Sequence, residues 1–141
     1  MTLLHMAGHL IRRLQQQSTA LFQTTMKQAG YDLTSVQFAA MQLLEENAGI
    51  EQAQIAEMIA YDRATIGGVI ERLEKKGYVS RTVSPQDRRA REVRLTREGQ
   101  QVLNEVYPLV EALQRDILHG LSDDEQQAFL ALARKAVMKT E

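Results

Sequence analysis

The fold of this 141-residue chain is decided by residues 54–95, which read QIAEMIAYDRATIGGVIERLEKKGYVSRTVSPQDRRAREVRL. Asp62 stands where the N-cap of a helix belongs, and Gly77 is a suitable stop at the other end. Apolar residues recur between them at helical spacing, namely Ile66, Val69, Ile70 and Leu73. The stretch therefore predicts a well-bounded amphipathic helix.

Two β-prone runs follow this helix. They cover residues 78–83 and 91–95 and flank a polar turn, which predicts a two-stranded hairpin. A shorter helix at about residues 52–60 precedes the helix between Asp62 and Gly77, here called the basic helix, and a tight turn at Ala60 and Tyr61 joins the two. Helix, turn, helix and hairpin in this order predict a mainly α-helical winged helix-turn-helix with a small β-hairpin wing.

The formal net charge of −1 conceals a strong asymmetry along the chain. Residues 63–97 hold ten Lys and Arg against four Asp and Glu, a net of +6, whereas the remainder holds seven against fourteen, a net of −7. Attraction to phosphates depends on the local field rather than on the total charge. The basic helix and the hairpin are therefore expected to bind double-stranded DNA.

The composition excludes several functional classes. No cysteine is present, which rules out disulfides, thiol catalysis, thiol-based sensing and Cys-ligated zinc. The sequence contains neither an apolar run of membrane-spanning length nor a signal peptide, so a cytoplasmic location is expected. No nucleophile motif, phosphate loop or carboxylate pair indicates an enzyme, and no metal or required cofactor is expected.

The flanking sequence predicts four further helices. They cover about residues 3–30, 34–47, 96–120 and 122–137, and Thr34, Thr96 and Ser122 stand at cap positions. Pro108 is expected to bend the third of them.

Apolar stripes on the long first, fifth and sixth helices exceed what a compact DNA-binding unit would cover, and such stripes usually mark an interface. The sequence predicts a single domain, residues 1–141, in which residues 1–30 and 100–141 are dimerisation helices and residues 34–97 are the DNA-binding lobe. The simplest explanation is that a second copy of the chain buries these apolar faces in a homodimer. Packing of these helices on the core of the same chain is the alternative.

The basic helix would enter the major groove with its first turns. The candidate contacts are Arg63, Ala64, Thr65, Gly67, Gly68 and, further along, Arg72. Thr65 can hydrogen-bond a base or place its methyl group against thymine, and the two glycines permit close backbone approach. Each glycine costs a helix about 1 kcal/mol relative to alanine, so something must offset the pair. For Gly68, tight helix packing explains the glycine almost equally well.

The hairpin turn at residues 84–91 concentrates Arg88, Arg89 and Arg91 beside a single acid, Asp87. Such a cationic tip suits a narrow minor groove, where the potentials of both strands converge. Asp87 is expected to pair with one arginine and fix its direction. A solvated charge run is the alternative, but the position directly after a helix-turn-helix favours a wing.

These segments resemble the MarR family of bacterial transcriptional regulators. The resemblance rests on residues 62–66 (DRATI), 72–79 (RLEKKGYV), 87–90 (DRRA) and 95–99 (LTREG), and it extends over nearly the whole chain. It implies a dimeric, ligand-responsive repressor of a pseudo-palindromic operator. Glu51, where the family often has Ser or Thr, is a departure that leaves the start of the third helix open.

The resemblance also implies roles for single residues. Arg89 would enter the minor groove, and the recognition face would comprise Thr65, Gly67 and Gly68, flanked by Arg63 and Arg72. Members of the family commonly bind small aromatic or phenolic carboxylates between the dimer helices and the DNA-binding lobe, which lowers DNA affinity.

A small aromatic carboxylate effector is therefore expected here. Arg13 suits bidentate carboxylate binding, His9 can hydrogen-bond or gain charge near neutral pH, and Phe38 could stack on a ring. Arg63, at the junction with the DNA-binding lobe, could also reach the ligand. Taken singly, each of these residues is better explained without a ligand, the His and Arg side chains as surface or dimer rim and Phe38 as core.

Two other interpretations stay open at this point. His5 and His9 also have metal-ligand spacing, with His119 as a distant third, which would suit a metal-responsive regulator. A winged helix can also serve as a protein-interaction module without an effector, because fold alone does not decide function. The concentrated positive charge favours DNA over that module.

Overall fold

The protein is described by a computed structural model that covers residues 2–59 and 62–138. Its elements are α1 (Ala7–Ala29), α2 (Ser35–Glu46), β1 (Ile50–Glu51), α3 (Gln52–Met58), α4 (Arg63–Lys75), β2 (Val79–Val83), β3 (Arg91–Leu95), α5 (Arg97–Ile117) and α6 (Asp123–Val137). This order confirms the predicted mainly helical winged helix-turn-helix, in which α3 and α4 form the motif and residues 79–95 form the wing. The turn expected at Ala60 and Tyr61 lies outside the described residues.

Three helix boundaries differ from the sequence-based expectation. The first long helix begins at Ala7 rather than near residue 3, because Met6 has an extended backbone (φ −102°, ψ 120°) and separates a short 3₁₀ helix from α1. The third helix ends at Met58 rather than at residue 60. The fifth ends at Ile117 rather than near Gly120, since the Leu118 N–H turns back to the Arg115 carbonyl and closes a tighter turn.

The expected two-stranded hairpin is part of a three-stranded antiparallel sheet with the order β1-β3-β2. β1 pairs with β3 through Ile50 opposite Val93 and Glu51 opposite Glu92. The prediction missed β1 because two residues are too short to show an alternating pattern. Since α3 begins directly after β1, the sheet joins the wing to the first helix of the motif.

Local capping explains why the other helices start where they do. Thr34, Asp62, Thr96 and Ser122 each accept a hydrogen bond from the backbone N–H three residues later. Gly77 has a left-handed backbone (φ 83°) and ends the α4 segment, as its position in the sequence predicted. These predicted caps are therefore confirmed.

One core holds α4 in place. Ile66, Ile70 and Leu73 on its inward face are fully buried, together with Val93 of the sheet and Leu103 of α5. Burial of three large side chains along one face leaves the opposite face of α4 free. The core thus fixes which side of α4 points outward.

The junction of the wing and α5 explains the Leu-Thr-x-x-Gly pattern. The Thr96 hydroxyl accepts from the Gly99 N–H at 3.0 Å and donates to the Gly77 carbonyl oxygen at 2.6 Å, while the Thr96 N–H donates to the Tyr78 carbonyl oxygen at 3.0 Å. A Cβ atom at Gly99 would overlap that Tyr78 oxygen. Only glycine therefore lets α5 approach the end of α4 so closely.

Candidate nucleic-acid interface

The first turn of α4 is exposed. The side chains of Arg63, Ala64 and Thr65 all face solvent, whereas the inward positions of the helix are buried. The Asp62 carboxylate accepts from the Thr65 backbone N–H at 2.8 Å and from the Thr65 hydroxyl at 2.7 Å, and these hydrogen bonds lower the pKa of Asp62. Because its proton is committed to Asp62, Thr65 offers a ligand an acceptor oxygen and a methyl group.

Gly67 and Gly68 are half-buried in the next turn. A Cβ atom at Gly68 would meet only the Arg72 guanidinium, at 3.5 Å, and one at Gly67 would meet only the Gln52 amide nitrogen, at 3.4 Å. Both are contacts with the ends of flexible side chains. Within the described part of the chain, tight helix packing therefore does not account for either glycine, and the exposed Arg72 side chain lies beside Gly68.

The wing carries three exposed arginines, Arg88, Arg89 and Arg91. Asp87 Oδ1 accepts from the Arg89 backbone N–H at 2.9 Å and from Arg89 Nε at 3.3 Å. The Arg89 side chain is nevertheless 93% exposed, so Asp87 restrains a guanidinium group whose other nitrogens face solvent. Arg91 Nη1 donates to the Arg88 carbonyl oxygen at 3.2 Å and stays close to the turn.

A cleft of about 170 Å³, here called the helix–wing cleft, separates α4 from the wing. It is lined by Glu51, Gln52, Ala53, Arg63, Arg89, Ala90 and Arg91. The tertiary structure thus brings an arginine of α4 together with two arginines of the wing. Their convergence creates one cationic face, in which Glu51 is the single carboxylate of the lining.

Gln52, which lines this cleft, and its neighbours Arg81 and Glu74 were not predicted from the sequence as functional residues. Arg81 on β2, whose side chain is 26% exposed, donates from Nη2 to Glu74 Oε1 at 2.8 Å and from Nη1 to Gln52 Oε1 at 3.3 Å. The hydrogen bond between Arg81 and Glu74 lowers the pKa of Glu74 and raises the pKa of Arg81. The partners lie 7 and 29 positions from Arg81, so no local pattern could have revealed them.

The four effector candidates do not share one cleft within the chain. Arg13 lines a cleft of about 610 Å³ between α1 and the α5–α6 connection, and His9 is half-buried one turn before it. Phe38 packs against Phe22 with ring centroids 6.1 Å apart. Arg63 lies in the helix–wing cleft.

The Arg13 cleft is predominantly apolar. Its lining comprises Leu4, Leu10, Arg13, Leu14, Gln17, Ile117, Leu118, His119, Gly120, Leu121 and Phe129. Arg13 and His119 are the lining groups that can carry positive charge, and Phe129 supplies an aromatic ring. Across residues 2–59 and 62–138, no three His, Cys, Asp or Glu side chains are placed to hold a metal ion, so His5, His9 and His119 do not form such a site.

The helix α6 is poorly covered by its own chain. Within its described length it contributes no buried residue, and Leu130 and Leu132 are exposed. Leu10 and Ile11 on α1 are exposed as well, and both Leu10 and Phe129 of α6 line the Arg13 cleft. Exposed apolar side chains thus occur on both α1 and α6, and both helices contribute to the lining of the Arg13 cleft, a pattern that is typical of an interface.

Several known proteins are similar to this chain in sequence. A family model described as MarR family matches residues 33–90. The transcriptional regulator HosA of Escherichia coli O111:H- is 36% identical over 135 residues, which cover 96% of this chain and 97% of HosA. The chain belongs to the MarR family. The transcriptional repressor NicR of Pseudomonas putida is similar to this MarR-family regulator too, with 34% identity over 92% of this chain and 81% of NicR.

Solved structures share the fold of this MarR-family regulator. BpsR of Bordetella bronchiseptica, whose structure concerns regulation of its DNA binding by 6-hydroxynicotinic acid, has a TM-score of 0.87 at 32% identity over 96% of each chain. PcaV of Streptomyces coelicolor, in complex with its natural ligand, has a TM-score of 0.87 at 32% identity over 100% of this chain and 98% of PcaV. The repressor CouR, bound to a 23-mer DNA duplex, has a TM-score of 0.83 at 29% identity over 93% of this chain and 92% of CouR.

Family membership confirms two predictions from the sequence. This MarR-family protein is a transcriptional regulator and not an enzyme. Its mainly helical winged fold is that of the solved structures. Within residues 2–59 and 62–138, none of the helices is both long and apolar enough to cross a membrane.

Proposed function

We propose that this MarR-family regulator is a dimeric repressor that binds a pseudo-palindromic operator with α4 and the wing. One observation carries the proposal: Arg63 of α4 lines the same cleft as Arg89 and Arg91 of the wing, so both elements present one cationic face. This face belongs to a segment of net charge +6 in an otherwise acidic chain. Such local fields attract DNA phosphates. A DNA partner would place the protein in the bacterial cytoplasm.

In this proposal α4 enters the major groove and the wing enters the adjacent minor groove. The α4 contacts are Arg63, Ala64, Thr65, Gly67, Gly68 and Arg72. The wing contacts are Arg88, Arg89 and Arg91, with Asp87 restraining Arg89 through its two hydrogen bonds. The exposed, acceptor-bearing Thr65 and the uncovered glycine backbone suit close approach to base edges.

A second copy of the chain would cover the exposed apolar side chains of α1 and α6. Residues 1–30 and 100–141 would then form the dimerisation part, and residues 34–97 would form the DNA-binding lobe. Two lobes related by a twofold axis would read half-sites about 10 base pairs apart. Occupation of a promoter by such a dimer represses transcription by excluding the polymerase.

The test begins with genomic DNA fragments that the protein binds. Footprinting locates the protected bases in one fragment, and a duplex that covers them, here called the selected duplex, is used for all measurements. Its affinity is measured by fluorescence anisotropy over a salt series. Arg89→Ala should weaken binding and reduce the slope of log Kd against log salt by about one for each Arg89 that engages a phosphate. Lys27→Ala removes an exposed cation on α1, far along the chain from this face, and should change neither quantity. An unaltered salt series for Arg89→Ala would contradict the wing assignment.

The effector in this proposal is a small aromatic carboxylate that binds in the Arg13 cleft and lowers the affinity for DNA. Arg13 can bind the carboxylate through two parallel N–H···O hydrogen bonds. His119 can hydrogen-bond a ring substituent, and the aromatic side chain of Phe129 can pack against the ring. His9 lies one turn from Arg13 and can approach the same ligand. Phe38 and Arg63 lie outside this cleft and are assigned no contact in it. The ligand of BpsR, 6-hydroxynicotinic acid, has the required ring and carboxylate.

Two probes test this effector site, 6-hydroxynicotinic acid and its carboxylate-free analogue 2-hydroxypyridine. The acid should release the selected duplex and the analogue should not. Arg13→Ala should keep its DNA affinity and lose the response, whereas Lys27→Ala should respond like the wild type. The selected duplex must also lower the affinity for the acid by the same factor, typically about 1–3 kcal/mol of coupling. Release from Arg13→Ala at the concentration that releases the wild type would refute the assignment.

A further inference from the structure

Gln52 occupies the contact region between the recognition helix and the wing. Its side chain lines the helix–wing cleft together with three arginines. Its Nε2 atom lies beside the α4 backbone, because a Cβ atom built at Gly67 would be 3.4 Å from it. The carboxamide is therefore placed between the cationic cleft and the glycine turn of α4.

The orientation of this carboxamide is determined chemically. A guanidinium can only donate hydrogen bonds, so the atom that faces Arg81 Nη1 at 3.3 Å must be the Gln52 oxygen. The amide nitrogen then points away from Arg81. Among the described residues it donates to no protein acceptor, so its two hydrogens, beside Gly67 of α4, have no partner within the described chain.

Arg81 is itself held in place from the other side. Its Nη2 donates to Glu74 Oε1 at 2.8 Å, so the planar guanidinium joins the end of α4 to the start of α3. The fork of arginine uses two nitrogens in one rigid plane for the two contacts, a geometry that the single nitrogen of lysine does not provide. The Glu74–Arg81–Gln52 chain thus fixes the amide without Arg81 reaching the cleft lining.

We propose that Gln52 donates its amide hydrogens to a DNA backbone phosphate in the helix–wing cleft, and that Arg81 is a positioning residue that orients this donor. The inference rests on the proposed function, since it names a further contact of the same DNA interface. Neutral donors share phosphate binding with arginines in protein–DNA complexes and carry no sequence information. Gln52 therefore adds affinity without adding charge.

The experiment compares Gln52→Met, Arg81→Lys and the double variant on two DNAs, the selected duplex and poly(dI-dC). Gln52→Met keeps the Glu74–Arg81 pair and removes only the amide. Arg81→Lys keeps the charge and the pairing with Glu74 but loses the bond to Gln52. Gln28→Met, an exposed glutamine on α1, is the matched control. Thermal unfolding of every variant separates binding effects from loss of fold.

Gln52→Met should lose about threefold to tenfold in affinity per protomer, the size of one net hydrogen bond, on both DNAs alike. The slope of log Kd against log salt should stay unchanged, because no cation is removed. Arg81→Lys should reproduce this loss, and the double variant should lose no more than either single variant, since both act through one contact.

Three results would overturn the inference. Gln52→Met binding like Gln28→Met would exclude the phosphate contact, and Arg81→Lys binding like the wild type would exclude the positioning role. Additive losses in the double variant would show that the two residues act separately. If the wild type itself binds neither DNA, the proposed function fails together with this inference, whereas normal wild-type binding with a silent Gln52→Met variant refutes only the inference.

Discussion

Gly68→Ala should make this protein more stable and a weaker DNA binder at the same time. Gly68 lies in the middle of α4 with a helical backbone, and a Cβ atom there would meet only Arg72 Nη1, at 3.5 Å. No atom has to move to accommodate the methyl group. Alanine loses less backbone entropy than glycine on folding, so the free energy of unfolding should rise by about 0.5–1 kcal/mol. The midpoint of thermal unfolding should rise by about 1–4 °C.

The same methyl group would project from the turn that carries the proposed base contacts. If DNA approaches the α4 backbone at Gly68 to within van der Waals contact, the added carbon must push the duplex away or strain the complex. Overpacking of a close contact costs about 1–3 kcal/mol. Affinity for the selected duplex should therefore fall by about tenfold or more. The two effects have opposite signs, which separates them from a general loss of fold.

The assay pairs thermal unfolding with fluorescence anisotropy on the selected duplex. Gly8→Ala is the control, because Gly8 lies in α1 and a Cβ atom there would have no neighbour within 4 Å. It should raise stability without changing DNA affinity. A lower unfolding midpoint for Gly68→Ala would show that packing inside the protein requires this glycine. Unchanged affinity would show that DNA does not approach the helix at Gly68.

Three further outcomes follow from the geometry. Gly99→Ala should destabilise the fold by about 2 kcal/mol or more, because its Cβ atom would overlap the Tyr78 carbonyl oxygen; urea unfolding that matches the wild type would contradict this. Arg81 lowers the pKa of Glu74, so the stability that this pair contributes is complete above the unfolded-state pKa of about 4.3. It is lost as the pH falls through the lower folded-state pKa. The free energy of unfolding of Glu74→Gln should therefore fall less on acidification than that of the wild type. Leu132 is 66% exposed, and Leu132→Glu should sediment as a monomer because the charge would be buried in the proposed dimer interface. The control variant Leu132→Met should sediment as a dimer. A dimer of Leu132→Glu would exclude α6 from the interface.

Local chemistry made most of the fold predictable. A cap such as Thr34 or Asp62 acts on a backbone N–H three residues away, and the apolar face of α4 repeats within a single helix. Interactions of such short range leave a pattern in the linear sequence. The β1 strand, by contrast, consists of two residues and exists only through its pairing with β3, so no pattern predicted it.

The candidate site divides in the same way. The charge count of residues 63–97 and the arginines around Asp87 predicted a DNA-binding segment from the sequence alone. Only the tertiary structure decided that Arg63 and Arg89 line one cleft, and that Phe38 lies apart from Arg13. It also decided that Arg81 holds Gln52, a partner 29 positions away. Residue type determines which chemistry is available, but proximity between distant positions arises only when the core packs, because no local interaction specifies it.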